Sequence, residues 1–330
     1  MILSKWRHAS SVVRGNDHIE NDLPCQDNVA YKLQNGIEVI ALSDGAGSKP
    51  MSQIGSEVAT KSICEYMVEE FDNIYLFSEK YGKTKDEIEE QKKIIKESIF
   101  NYVKKNLLLQ VKGEIEFEDL ACTLLFFARK GEKYIMGHIG DGVIAGSFNS
   151  GKDQQVKVLS APENGEQINI TFFLTDPDAI DHLRITCGRF TNLTGVMLMS
   201  DGPEEVLFQG HELHENVTKL FNNFNDFTSE KYNKVINKFL STQVAQYSYD
   251  DLSLNILYLT CIDTYKTSKD VLEDLFSDIT DEEQIIRKSK YGYMLDNTKQ
   301  YKVSVKPGIL ISEAKEKPIF SYEFSGVKVE

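Results

Sequence analysis

Acidic residues recur in this chain where short apolar runs begin or end. Val39–Leu42 leads into Ser43-Asp44-Gly45, and Val196–Met199 leads into Ser200-Asp201-Gly202, so one tripeptide follows two apolar stretches. Asp141 stands between Gly140 and Gly142 after Tyr134–Ile139, and Asp250-Asp251 directly precedes Leu252–Leu259. Asp27 lies in Leu23-Pro24-Cys25-Gln26-Asp27-Asn28. An apolar strand that stops at Asp delivers a carboxylate to the end of a buried sheet, and an adjacent Gly lets the chain turn and a ligand approach. Each doublet alone reads as an ordinary turn, because Asp and Gly dominate turns. Their shared position at strand ends gives them joint meaning. Carboxylates gathered at one end of a sheet repel one another, and cations relieve that repulsion. An all-oxygen donor set suits hard divalent ions. Two such ions about 4 Å apart polarise a phosphoryl group and acidify a bridging water.

The elements that would position these groups follow from periodicity. Gly15 to Asn28 reads as a loop-rich opening, and Val39–Leu42 as a strand. Ser52–Phe71 keeps helical spacing through Ile54, Val58, Ile63 and Met67, with Pro50 or Ser52 as its start. Lys85–Val111 predicts a second helix, charged at first and then with Ile94, Ile95, Ile99, Val103 and Leu107 on one side. Strand patterns then come in close order at Ala121–Ala128, Tyr134–Ile139, Val143–Phe148, Val156–Leu159, Ile168–Leu174, Leu183–Cys187 and Val196–Met199. Turns such as Lys130-Gly131-Glu132 between them give the hairpin pattern of an antiparallel sheet. Helical patterns return at Leu213–Phe224 and Ser229–Ala245 before a last strand at Leu252–Leu259. The order predicts a layered α+β fold. After Cys261 the composition shifts: Asp263–Arg287 is acidic and helical in part, and Tyr301–Glu330 is broken by Pro307-Gly308 and Pro318. Residues 1–263 therefore read as the main domain and 264–330 as an appendage of unread role.

Composition narrows the function classes. The 330 residues are 41% hydrophobic, enough to bury a real core. A net charge of −14 argues against non-specific binding to nucleic acid or anionic membrane. It also counts against a metal-dependent nuclease, which would need a basic stripe. The five scattered cysteines include no C-x-x-C pair and point to free thiols in a reducing compartment. The N-terminus shows no apolar signal region, and Leu120–Ala128 is too short to span a bilayer. A cytoplasmic protein is expected.

The acidic motifs stand in a distinctive order. Pro24-Cys25-Gln26-Asp27 is followed by Leu42-Ser43-Asp44-Gly45-Ala46-Gly47 and Ala121-Cys122-Thr123-Leu124. His138-Ile139-Gly140-Asp141-Gly142, Met199-Ser200-Asp201-Gly202 and Asp250-Asp251-Leu252-Ser253 complete the series. As an ordered set, spanning about residues 5–261, it resembles the metal-dependent protein phosphatases of the 2C type (PPM), in their bacterial branch. The resemblance implies a four-layer αββα sandwich around two antiparallel sheets, with two manganese or magnesium ions in the cleft. It also implies hydrolysis of phosphoserine or phosphothreonine in a phosphoprotein by a metal-bridging water, in opposition to a Ser/Thr kinase.

Carried over by motif, Asp44 resembles the ligand that bridges both ions, with the Gly45 carbonyl as a further ligand. Asp201 and Asp250 resemble ligands of one ion, and Asp27 the carboxylate that holds metal-bound water. Asp141 and Glu205 resemble ligands of a weaker third ion. Arg14, upstream of the first acidic motif, is the candidate phosphate-binding residue, because a guanidinium grips phosphate bidentately. His18 is a candidate for phosphate contact or proton transfer, against the plainer reading of a loop histidine. Thr123 reads either as a site-lining residue or as core, and His138 as a hydrogen-bonded structural group. Two departures stand out: Gln26 replaces an acidic residue common in relatives, and Ala46 stands where eukaryotic members carry a histidine. They leave open an alternative in which the domain senses or scaffolds and catalyses little. Oligomeric state is not legible.

Overall fold

The computed structural model describes residues 4–261 except 81–83, 151–152, 164–170, 210–211 and 225–226. The appendage expected over 264–330 lies outside the described residues. Two five-stranded sheets, antiparallel throughout, form the centre. One has the order β2 (Asn28–Gln34), β3 (Ile37–Ser43), β4 (Leu124–Lys130), β5 (Lys133–Ile139), β8 (Arg184–Arg189). The other has the order β1 (Ser4–Val13), β12 (Leu252–Cys261), β9 (Leu193–Met199), β6 (Val143–Ser150), β7 (Asp153–Ser160). A two-residue pairing, β10 (Phe208–Gln209) with β11 (Glu212–Leu213), is hydrogen-bonded into neither sheet.

Alternation along the strands makes this a sandwich. In β3, Ile40 and Leu42 face the opposite sheet, while Val39 and Ala41 face the helices α2 (Ser52–Lys80) and α3 (Lys85–Leu108). In β9, Val196 and Leu198 point between the sheets, while Met197 and Met199 point at α5 (Asp201–Leu207), α6 (Glu215–Asn223) and α7 (Ser229–Thr242). A strand apolar on both faces must be covered on both sides, so each sheet carries a helical layer outside and shares one core inside. The expected four-layer αββα arrangement is the one observed. Short helices α1 (Asn16–Glu20) and α4 (Ala179–His182) lie in the connections.

Several element boundaries differ from the sequence expectation, for local reasons. The opening is not all loop: β1 and β2 occupy its flanks, and their half-exposed residues blur the period-2 signal. The strand expected at Ile168–Leu174 is absent over the described residues 172–174, and 168–170 lie outside the description. The strand expected from Ala121 begins at Leu124, because Cys122 makes only an isolated bridge to Gly45. Leu213 belongs to β11, and α6 begins after His214, whose side chain accepts from Asn216 N. At α3 a capping box fixes the start: Thr84 Oγ1 accepts from Glu87 N at 3.3 Å, and Glu87 Oε2 accepts from Thr84 N at 3.0 Å.

Asn255 stitches the sheets together across the apolar core. Its Nδ2 donates to Ala30 O at 2.9 Å and to Ala41 O at 2.8 Å, both on the opposing sheet. Its Oδ1 lies 2.8 Å from His8 Nε2, and the His8 ring stacks on Tyr31 with centroids 4.3 Å apart. Burial lowers the His8 pKa to about 4, so at neutral pH the ring is neutral and Nε2–H is the donor. An Asn255→Leu variant strands these partners in the core and is expected to lose about 2–4 kcal/mol of stability. Urea unfolding checks it, and an unchanged midpoint would contradict the assigned role.

Candidate metal centre

Antiparallel pairing brings the acidic motifs to one end of the sandwich. Asp44 follows β3, Asp141 follows β5, and Asp201 follows β9 as the first residue of α5. β12 runs antiparallel to β9, so its start lies beside the end of β9, and Asp250 sits there. β2 runs antiparallel to β3, which places Asp27 beside Ser43 and Asp44 by the same logic. Asp44, Asp141 and Asp201 each offer a carboxylate oxygen, all within 4.8 Å of one another. These carboxylates are recessed yet keep a partly open face.

Hydroxyls and backbone amides hold the carboxylates in place. Asp27 Oδ2 accepts from Ser200 Oγ at 2.8 Å and from Ser253 Oγ at 2.6 Å. Thr123 Oγ1 accepts from Asp44 N at 2.9 Å, and Thr123 N donates to Asp44 O at 2.8 Å. Thr123 is thus both buried and part of the site. The serines of the repeated Ser-Asp-Gly do different work: Ser43 Oγ donates to Thr123 O at 2.5 Å, whereas Ser200 supports Asp27. Thr171 Oγ1 donates to Asp141 Oδ2. In the Gly-Asp-Gly motif, Gly140 has a φ of +113° and a Cβ there would meet Thr123 Cγ2 at 2.5 Å, so only glycine fits. Gly202 has no left-handed φ; it is glycine because a Cβ would lie 2.3 Å from Asp251 O. What approaches that glycine is the chain itself.

Asp251, which the acidic pattern does not separate from Asp250, gathers the entry loop. Its Oδ1 accepts from Gly15 N at 2.7 Å and its Oδ2 from Gln26 N at 2.6 Å. His18 Nδ1 lies 2.9 Å from the same Oδ2, with both side chains almost fully buried. Asp250 Oδ1 accepts from Asp251 N at 2.8 Å, so the adjacent acids divide the labour. Gln26 spends its Nε2 on Lys49 O at 3.3 Å. Arg14 Nη2 donates to His18 O at 2.8 Å and lies 3.7 Å from Asp22 Oδ1, while Arg14 Nε is buried without a hydrogen-bond partner. Glu205 is buried on α5, four residues after Asp201. Gly45 N donates to Gln26 O at 3.2 Å, which ties the first Ser-Asp-Gly to the Asp27 loop. His138, away from these contacts, has Nδ1 2.8 Å from Ser160 Oγ and 2.9 Å from Arg184 Nη2, the structural role expected of it.

Electrostatics mark the cluster as a place for cations. Burial raises the pKa of Asp44, and Asp201, Asp27, Asp250 and Asp141 raise it further. Asp201 is raised by burial and then by Asp250 and Asp141, with a hydrogen bond to Asp44 partly offsetting. Asp27 and Asp250 are raised too, burial again being the largest cause. Asp27 Oδ1 and Asp201 Oδ1 are buried with no hydrogen-bond partner among the described residues. Orphaned oxygens among like charges are costly to a bare protein and are what a hard cation satisfies. The donor set therefore fits magnesium or manganese chemistry.

Comparisons with known proteins agree with this geometry. The family model described as Protein phosphatase 2C matches residues 14–241, well over half of the chain. Serine/threonine-protein phosphatase 3 of Escherichia coli K12 is 25% identical over 262 residues, covering 74% of this chain and 95% of its own length. A serine-threonine phosphatase 2C from Toxoplasma gondii superposes with a TM-score of 0.52 at 10% identity, covering 78% of this chain and 100% of that one. The S. agalactiae serine/threonine phosphatase gives 0.50 at 15% identity, covering 77% and 99%; at such identities these two speak for the fold alone. The chain belongs to the protein phosphatase 2C family, a class of metal-dependent phosphoprotein phosphatases. No helix among the described residues is long and apolar enough to cross a membrane.

The raised carboxylate pKa values carry a sign. The folded metal-free protein binds protons at Asp27, Asp44, Asp201 and Asp250 more tightly than the unfolded chain, whose carboxyls titrate near about pH 4. Stability in EDTA is therefore expected to fall as pH rises from about 5 to 8. Asp201→Asn should flatten that slope, and manganese at pH 8 should restore the midpoint of the native chain. Thermal unfolding across pH is the measurement; a midpoint rising with pH in EDTA would contradict the cluster's charge state.

Proposed function

We propose that residues 1–263 form the catalytic domain of a serine/threonine protein phosphatase that uses two divalent ions, manganese or magnesium. The observation that carries the proposal is the convergence of Asp44, Asp141 and Asp201 within 4.8 Å, framed by Asp27 and Asp250. Asp44, whose pKa is raised by all four of the other acids, would hold both ions, with the Gly45 carbonyl as a further donor. Asp201 and Asp250 complete one ion's site, and Asp141 with Glu205 offers a weaker third. Bound there, the ions supply Lewis acidity toward the phosphoryl oxygens and acidify water.

The chain's own groups supply orientation. Asp27 is fixed through Oδ2 by Ser200 and Ser253, which leaves Oδ1 to accept a hydrogen bond from the attacking water. Arg14 has Nε unspent and a partly exposed guanidinium to offer the substrate phosphate. His18 is a positioning residue: its contact with Asp251 holds the loop that carries Arg14. Water adds to phosphorus, the Ser or Thr oxygen leaves and takes a proton, and phosphate is released. Gln26 does not weaken this reading, because its contacts tie loops together and lie outside the metal-ligand set.

The test is manganese-dependent hydrolysis of a phosphothreonine peptide and of a small aryl phosphate. Asp27→Asn is expected to lose about 10–100-fold in activity or metal affinity, the usual cost of removing a group that orients a metal site. Asp44→Asn should lose more and abolish calorimetric binding of a pair of ions, whereas Asp201→Asn should chiefly damage one. Hydrolysis no faster in the native chain than in Asp44→Asn would overturn the proposal in favour of a scaffold.

A further inference from the structure

The opposite end of the sandwich carries a second recess, remote from the acidic cluster. Strand register places it there: Leu124 at the metal end pairs with Ile139, and the same hairpin ends at Lys130–Lys133. The recess has a volume of about 310 Å³. Its lining includes Trp6 from β1, Phe127 and Tyr134 from the hairpin, Phe190 just after β8, Leu193 at the start of β9, and Leu259 near the end of β12. Leu259 lies seven residues beyond Leu252, or roughly 23 Å along a strand, so nothing bound here touches the acidic cluster. Phe190 stacks on Tyr134 with centroids 4.3 Å apart and meets Phe148 edge-on at 5.2 Å. Arg129 sits over the Trp6 ring at 4.1 Å and pairs with Glu38. Aromatic and aliphatic side chains line the recess together with Arg129, Glu132 and Lys133.

The chain itself supplies an occupant of matching chemistry. β12 ends at Cys261, paired with Ser4, so the chain leaves the sandwich at the rim of this recess. Another 69 residues, 262–330, follow. Within them Leu272, Leu275, Phe276 and Ile279 keep the i, i+3, i+4, i+7 spacing of an amphipathic anchor, interleaved with Glu273, Asp274 and Asp278. From Cys261 to Leu272 is 11 residues, which span at most about 38 Å. Leu259 is already a wall of the recess, so the tether keeps this segment at high local concentration beside it. The apolar residues of the segment suit the aromatic and aliphatic lining, and its acids suit the two wall cations, which outnumber Glu132.

We propose that residues 271–279 dock in cis into this distal recess, with Phe276 and Leu275 between Trp6, Phe190 and Leu193 and the neighbouring acids toward Arg129 and Lys133. The inference does not rest on the phosphatase reading, and its readout is independent of activity. Trp6 is the single tryptophan of the chain, so its emission reports the recess alone. In the full-length protein, Leu275→Ser/Phe276→Ser is expected to shift Trp6 emission to the red and increase its quenching by acrylamide. Leu310→Ser, in the same tail but outside the segment, should leave both unchanged. A photo-crosslinking phenylalanine at Thr191, on the recess wall, should form links within one chain to residues 271–279. Unchanged Trp6 emission in the double variant overturns the proposal. Links between two chains would mean that a second copy occupies the recess, and links only elsewhere in the chain would assign it another occupant; both overturn the proposal.

Discussion

The constraint that organises this molecule is the mutual repulsion of carboxylates held close together away from bulk water. Asp27, Asp44, Asp201 and Asp250 all bind protons more tightly than free carboxyls, chiefly through burial, and acidic neighbours, Asp141 among them, add to that effect. No loop would hold such a set against its own repulsion. The fold does it by anchoring each acid to the end of a strand whose remaining residues are committed to a core. Moving Asp44 out of the cluster would pull on Ile40 and Leu42, packed between the sheets, and on Val39 and Ala41, packed under α2. Hydrophobic burial thus offsets an electrostatic cost at the site, and divalent cations held there would relieve what remains.

A second layer of control is polar and equally specific. Asp251 uses its carboxylate on the Gly15 and Gln26 amides and against His18, so it belongs to the loop framework while Asp250 belongs to the cleft. Gly15 fits there because a Cβ would lie 2.3 Å from the Asp250 carbonyl carbon. Ser200 and Ser253 meet at 3.1 Å and share Asp27 Oδ2, joining β9, β12 and the segment before β2 at one atom. Every one of these contacts links residues more than 50 positions apart.

Much of this was legible in the sequence, for physical reasons. Strands buried on both faces, such as Val39–Leu42 and Val196–Met199, announce themselves as continuous apolar runs, and the acids that end them are visible at once. β1 was not visible: Ser4–Val13 mixes Lys5, Arg7, His8 and Ser10 with Trp6 and Val12, because its residues are mostly half-exposed and its inward His8 is polar. The roles of Asp251, Thr123, Ser200 and Ser253 were hidden for another reason. A hydroxyl or a second acid beside a turn has no periodicity, and only the register of distant strands shows what it faces. Ser200 did carry one signal, the repeated Ser-Asp-Gly, yet its twin Ser43 bonds a carbonyl, so repetition did not reveal function.

β12 shows how the two ends of the sandwich belong to one object. Its outward face, Leu252, Leu254, Ile256 and Tyr258, is uniformly apolar and packs against α5 and its neighbouring helices. Its inward face changes character every two residues. Ser253 holds Asp27, Asn255 bonds the opposite sheet, Leu257 fills the central core, and Leu259 lines the distal recess. A pleated strand cannot slip by one residue without exchanging its faces, which would put Ser253 and Asn255 among the helices and Tyr258 between the sheets. A slip of two would keep the faces but place Asn255 at the carboxylates and leave the Ala30 and Ala41 carbonyls facing leucine. The polar pair at Ser253 and Asn255 therefore sets the register that hydrophobicity alone leaves degenerate. That same register carries Asp250 to the cleft at one end and Leu259 to the recess at the other.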